Sequence, residues 1–205
     1  MNEVQLNLEN WFAKPILFGE IPGINNNLLT EHAYMLRNKE STGTSAWNCT
    51  TWNSMKDNPW LENKQTDQEL FNLMENINNV TRAFADRLDV DLENHEIKLM
   101  EFWFNIAGFK DHQEYHVHAT SHISGVYYVK IPAENSGKFI CRTKDSWNQF
   151  PLPRKTYRNW PETMEYNPGE GKLLLFESDL MHMVEPNETH EDRISISFNY
   201  QFVMK

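Results

Sequence analysis

The second half of this chain is written as a succession of short strands, and that pattern limits the fold more than any other feature. From about Glu96, the segments Ile97–Ile106, His122–Ile131, Lys138–Arg142, Lys172–Phe176, Met181–Glu185 and Ile194–Val203 are rich in Val, Ile, Leu, Phe and Tyr. Such side chains suit a pleated, half-buried surface. Pro132-Ala-Glu-Asn135, Asn167-Pro-Gly169 and Glu185-Pro-Asn187 separate them, because Pro cannot donate to a ladder and Gly and Asn accept turn geometry. Many short strands so spaced pair antiparallel, as a β-sandwich or barrel.

The first half has a different grain. Asn25–Asn38 is a short helical candidate, and Trp47, Trp52 and Trp60 fall in an irregular stretch. Thr66-Asp-Gln-Glu69 has the form of a capping box, and Leu70, Met74, Ile77, Phe84 and Leu88 beyond it share one helical face. That helix is expected to cover one side of a sheet. The expectation is a single mostly-β domain over residues 1–205, with a helical and irregular support in 1–95 and a catalytic core in 96–205. The segment from Thr143 to Tyr166 is expected to be a long loop of the kind that often serves as a lid.

Composition removes several function classes. With Trp 7, Tyr 7 and Phe 12 the chain carries too much aromatic surface for a disordered tail. A net charge of −10 argues against gripping a phosphate backbone, which takes clustered Lys and Arg. No basic segment followed by an apolar one opens the chain, and no apolar run reaches the roughly 18 residues of a spanning helix. A cytoplasmic protein off the membrane is therefore expected, with Cys49 and Cys141 as reduced thiols.

The chemistry concentrates in Asp111-His-Gln-Glu-Tyr-His-Val-His118. In an extended strand side chains alternate, so His116 and His118 leave on one face. Two imidazoles so placed can take neighbouring positions on one metal, and His182, in Leu180-Met-His-Met-Val184, is the candidate third ligand. Three ligands on one side of an octahedral ion leave positions open, which suits redox iron; a closed zinc site would more often recruit Cys. Arg193, followed by Ser195, leads the last strand. A guanidinium inside a barrel needs an anionic partner, which a carboxylate-bearing cosubstrate supplies.

These residues resemble those of the 2-oxoglutarate/Fe(II)-dependent oxygenases related to prolyl 4-hydroxylases, in particular a small subfamily found in bacteria and marine phages. The resemblance rests on His116-Val-His118, Ser124-Gly-Val-Tyr-Tyr-Val129, Gly171-Lys-Leu-Leu-Leu-Phe176, His182, Pro186-Asn187 and Arg193-Ile-Ser-Ile-Ser-Phe-Asn199, with weaker echoes at Trp11–Ile16, Trp47 and Trp52. It implies a double-stranded β-helix (jelly roll) holding one Fe(II), with His116 and His118 as near ligands and His182 as the distal one. Arg193 would pair with the remote carboxylate of 2-oxoglutarate, assisted by Ser195 or Tyr128. Ser124, Asn105 and Asn199 are further candidates for the wall around the cosubstrate. Strand parity favours Tyr128 over Tyr127, since Ser124, Val126 and Tyr128 share a face.

Where His118 stands the wider superfamily usually has a carboxylate, so Glu114 is an alternative third ligand, while His122 is expected to be structural. The implied reaction is hydroxylation of a C–H bond with release of succinate and CO₂. Three other readings stay open: a three-histidine cupin-type dioxygenase without a keto acid, a zinc hydrolase with Glu114 as base, and a non-catalytic jelly-roll binding module. The substrate is an unnamed small molecule or peptide, a prolyl residue by analogy with relatives, and a homodimer is common among such proteins.

Overall fold

In the computed structural model, residues 14–39, 51–55, 59–142 and 163–205 are described. Two helices and ten strands follow in the order β1 (Ile16–Glu20), α1 (Asn26–Lys39), β2 (Trp52–Asn53), α2 (Lys64–Arg87), β3 (His95–Ala107), β4 (Gln113–His116), β5 (Ile123–Lys130), β6 (Phe139–Arg142), β7 (Thr163–Tyr166), β8 (Lys172–Glu177), β9 (Met181–Val184) and β10 (Arg193–Met204). The pairings are antiparallel and form a six-stranded sheet, β1-β8-β5-β10-β3-β2, and a four-stranded sheet, β4-β9-β6-β7. This is the jelly roll that the family resemblance implied, a form of the β-sandwich that the strand pattern pointed to, mostly β with helices on one flank.

Alternation along the large sheet sorts its side chains into two environments. Phe104, Ile106, Ile123, Tyr127, Val129, Leu173, Leu175, Ile194, Ile196 and Phe198 share one core with Leu29, Ala33 and Leu36 of α1 and Leu70, Leu73, Ile77 and Phe84 of α2. Their neighbours Tyr128, Leu174 and Phe176 point the other way and pack with Phe139 and Cys141 of the small sheet. Tyr127, Phe104 and Phe198 are fully buried, each stabilising the helix–sheet layer by about 1.5–3 kcal/mol. Helix α1 lies across β5 and β3, with the His32 ring stacked on Phe104 at 5.2 Å.

Three expectations need correction. The cap of α2 is Asn63, whose Oδ1 accepts from the amides of Gln65 and Thr66. Asn is as good a cap as Thr and stands three residues earlier, so Thr66 falls inside the first turn and Glu69 instead accepts from the Asn25 amide at 2.6 Å. Strand β1, in a stretch expected to be irregular, pairs with the edge of β8; its burial is slight, which leaves little alternation to detect. The expected loop 143–166 ends in a strand, because Thr163–Tyr166 pairs with β6; residues 143–162, and with them the expected lid, lie outside the described residues, as do Cys49, Trp47 and 11–13. Cys141 is a buried free thiol. Among the described residues no helix is long and apolar enough to cross a membrane.

Candidate metal centre and its cavity

The three histidines come together from two strands and a loop. Strand β4 ends at His116, which pairs across to His182 of β9, and His182 in turn pairs with Cys141 of β6. His118 lies beyond the strand, so simple alternation does not bring it in. A register irregularity between Gln113 and His116 breaks the parity that would have grouped Glu114 with the histidines. His118 is instead held by its backbone N–H, which donates to the Ser178 carbonyl at 2.8 Å. Ring centroids are 4.2 Å apart for His116–His182, 5.2 Å for His116–His118 and 5.3 Å for His118–His182. One nitrogen from each ring lies within 4.8 Å of the other two.

Two of the rings are fixed by their own backbone. His116 Nδ1 donates to the Glu114 carbonyl at 2.6 Å and His182 Nδ1 to that of Leu180 at 2.8 Å, which leaves Nε2 as the lone-pair nitrogen in each. Burial disfavours the charged ring, lowering the pKa of His116, taking His118 down to about 4 and His182 well below the ordinary histidine range. At neutral pH the site therefore presents three neutral imidazoles as donors, which fits a divalent transition metal. Glu114 is exposed, and the donor group among the described residues contains the three histidines without it. His122 Nδ1 accepts from the Phe202 amide at 3.2 Å and its ring packs on Phe202, a structural position.

A cavity of ≈ 240 Å³ runs between the sheets and is lined by the three histidines and by Arg193. Arg193, Ser195 and Ser197 alternate inward along β10, and the register sets Ser195 between Asn105 of β3 and Tyr128 of β5. Arg193 is only 5% exposed. Its Nη1 donates to the carbonyls of Ser136, Gly137 (3.3 Å) and Glu185 (3.3 Å). The expectation that an anion alone must answer this charge is thus incomplete, since backbone dipoles already face one end of it. Burial raises the Tyr128 phenol while Arg193 opposes the shift, so Tyr128 is a neutral hydroxyl able to donate.

Asn105 Oδ1 accepts from Trp103 Nε1 (3.2 Å) and Gln113 Nε2 (3.4 Å), and its Nδ2 donates to Ser197 (2.9 Å). Trp103, Gln113 and Ser197 line the cavity and were missed in the sequence. The i, i+2 step from Arg193 and Ser195 was a signal for Ser197, whereas nothing local marked the other two. Tyr127 faces the helices, where its hydroxyl donates to Asn26.

Two candidates do not reach the cavity. Ser124 and Asn199 have inward parity but sit one step further along their strands than Val126 and Ser197, which do line it. Ser124 Oγ donates to Asn199 Oδ1 at 2.8 Å and lies 2.7 Å from Ser178 Oγ, and Asn199 Nδ2 donates to Glu101. Through Ser178 they brace the segment that carries His118.

A family model described as "Putative 2OG-Fe(II) oxygenase" matches residues 101–199, which hold all three histidines and Arg193. No curated protein sequence matches the chain. Among solved structures, a Pseudomonas putida prolyl-4-hydroxylase is similar with a TM-score of 0.62 and 14% identity, over 92% of this chain and 93% of that one. A prolyl hydroxylase from Trichoplax adhaerens, in complex with a hypoxia-inducible-factor peptide fragment, gives 0.61 and 14%, over 92% and 83%. HygX from Streptomyces hygroscopicus with nickel and 2-oxoglutarate bound gives 0.55 and 14%, over 92% and 82%. At such identities the structural likeness speaks for the fold.

Proposed function

We propose that this chain is a 2-oxoglutarate/Fe(II) oxygenase, like the family whose model matches residues 101–199, in which His116, His118 and His182 hold the iron while Arg193 anchors 2-oxoglutarate. The observation that carries the reading is the one cavity bounded by three converging neutral imidazoles and by a buried guanidinium. When bound, the iron supplies O₂ activation, so that a substrate C–H bond becomes C–OH while 2-oxoglutarate gives succinate and CO₂, one oxygen atom going to each oxidised product.

The chain's own residues bind and position. Arg193 supplies positive charge, and Tyr128 and Ser195 supply hydroxyl donors beside it for the remote carboxylate. Asn105 is held by Trp103, Gln113 and Ser197 and stands as cavity wall. Phe139, Phe176 and Val184 give the cavity apolar sides that keep water from the reacting atoms. No side chain is asked to act as general acid or base. Three neutral ligands leave the ion's full double charge to attract a dianionic cosubstrate, where a carboxylate ligand would cancel part of it.

The substrate is a peptide or a small molecule: the Trichoplax relative is seen with a peptide and HygX with hygromycin B. We read the chain as one working unit, because α1 and α2 share a core with the sheet that carries Arg193. Purified anaerobically, loaded with Fe(II) and 2-oxoglutarate and then exposed to O₂, the protein is expected to release succinate. A three-histidine dioxygenase that needs no keto acid is favoured by a donor group that, among the described residues, holds no carboxylate; oxygen consumption without any dependence on 2-oxoglutarate would select it.

A further inference from the structure

We propose that Gly137, in the turn between β5 and β6, is a positioning residue that sets where the Arg193 guanidinium stands and so selects the keto acid by its length. The inference rests on Arg193 being the cosubstrate anchor.

Gly137 has φ of +81°, and a Cβ built there would lie 2.6 Å from Arg193 Nη1, 2.8 Å from the Pro186 carbonyl and closer still to that of Glu185. Any larger residue must therefore displace the guanidinium or the two carbonyl-bearing segments that enclose it. The turn is also pinned. Lys138 N–H donates to Glu185 Oε2 at 3.1 Å, Glu185 N–H donates to the Lys138 carbonyl at 2.9 Å, and Glu188 N–H donates to the Asn135 carbonyl at 2.9 Å. These bonds hold the Ser136 and Gly137 carbonyls against Nη1. A guanidinium committed at one end to fixed backbone cannot follow a longer or shorter ligand. With the histidines fixed at the other end of the cavity, the span between them is preset, and a dicarboxylate keto acid must match it.

Calorimetric titration of the Ni(II)-loaded protein, in which no turnover occurs, tests this with 2-oxoglutarate and 2-oxoadipate, one methylene longer. Wild type is expected to prefer 2-oxoglutarate by about tenfold or more. Gly137→Ala is expected to bind 2-oxoglutarate about tenfold more weakly and to lose most of that preference, with Ni(II) affinity within about twofold of wild type. Gly23→Ala is the control for backbone strain, because Gly23 has φ of +80° and a Cβ there meets nothing within 4 Å; it should lose stability yet keep both keto-acid affinities. Should Gly137→Ala fail to fold, Glu185→Ala, which unlatches the turn without filling it, is expected to weaken 2-oxoglutarate and spare Ni(II).

Keto-acid affinities unchanged in both variants, or nickel lost in step with keto acid, overturn the role of Gly137. Wild type that binds nickel but no 2-oxoglutarate overturns the reading of Arg193 itself, and the two failures are thereby told apart.

Discussion

His116 and His182 stand across from one another in the β4–β9 pairing, ring centroids 4.2 Å apart, and each donates from Nδ1 to the carbonyl two residues before it, Glu114 and Leu180. The same local device on two strands fixes both tautomers and turns both Nε2 atoms into donors. The third ring, His118, comes from a segment held by Ser178. The site is thus two rigid donors from the sheet and one from a braced loop.

This difference predicts how the ligands respond to change. His118→Asp retains a donor and restores the negative charge that the donor group lacks, so metal is expected to stay bound while 2-oxoglutarate weakens, its attraction to the ion being partly cancelled. Glu114→Ala should leave metal affinity within about twofold, because only the backbone carbonyl of Glu114 serves His116. Metal titrations of the two variants check both, and loss of metal in Glu114→Ala would return that carboxylate to the candidate ligands.

Arg193→Leu is expected to weaken 2-oxoglutarate by about 10- to 100-fold, the loss of a charge-assisted hydrogen bond at about 1.5–3 kcal/mol. Metal affinity should change little. Arg193→Lys keeps the charge but not the planar fork, so it should recover only part of the loss. Equal losses of metal and keto acid would show that Arg193 supports the fold and not the cosubstrate.

Ser124 separates a wall residue from a brace. Its hydroxyl is buried between Asn199 and Ser178, and leaving those partners unsatisfied costs about 1–3 kcal/mol. Ser124→Ala should therefore lower the urea midpoint and loosen metal binding through His118, while 2-oxoglutarate binds the reloaded protein as before. A selective loss of 2-oxoglutarate would put Ser124 back in the cosubstrate wall.

Acid should destabilise the metal-free protein. His116, His118, His182 and His32 all have folded-state pKa values lowered, first by burial. In the unfolded chain these rings take up protons near pH 6.5. The unfolded state therefore binds more protons below that pH, and the contribution of the neutral rings is complete above it and falls as pH drops toward the lowered values, about 4 for His118. Metal, which competes with protons for the same nitrogens, should bind more weakly over the same range. Urea midpoints of metal-free protein at about pH 7.5 and 5.0 are expected to fall, and to fall less in His116→Gln/His118→Gln; no difference between these proteins would remove the rings as the cause.

What the residues disclosed, and what they hid, follows the range of the forces involved. The large-sheet strands were legible from alternation, as in Ile194–Phe198, and from runs buried on both faces, as in Leu173–Phe176, and Arg193 and Ser195 were legible as polar positions leading the last strand. Strand β1 was not, because an exposed edge carries little pattern. Alternation put His116 and His118 on one side, and their rings do converge, but by another route, since the strand stops at the first of them. Ser124 and Asn199 had the right parity, but parity says nothing of how far along a strand a cavity extends. The carbonyl cradle of Arg193 involves residues 56 and 57 positions away and uses backbone atoms, which no side-chain pattern can announce.

The most direct test is the iron content of protein loaded with Fe(II) without oxygen and then desalted, for wild type, His116→Ala and His182→Ala. The structure predicts one equivalent per wild-type chain and a loss of affinity of about 100-fold or more in each variant, beyond what removal of an outer partner costs. Wild type without stoichiometric iron, or variants that keep it, would contradict the three-histidine centre.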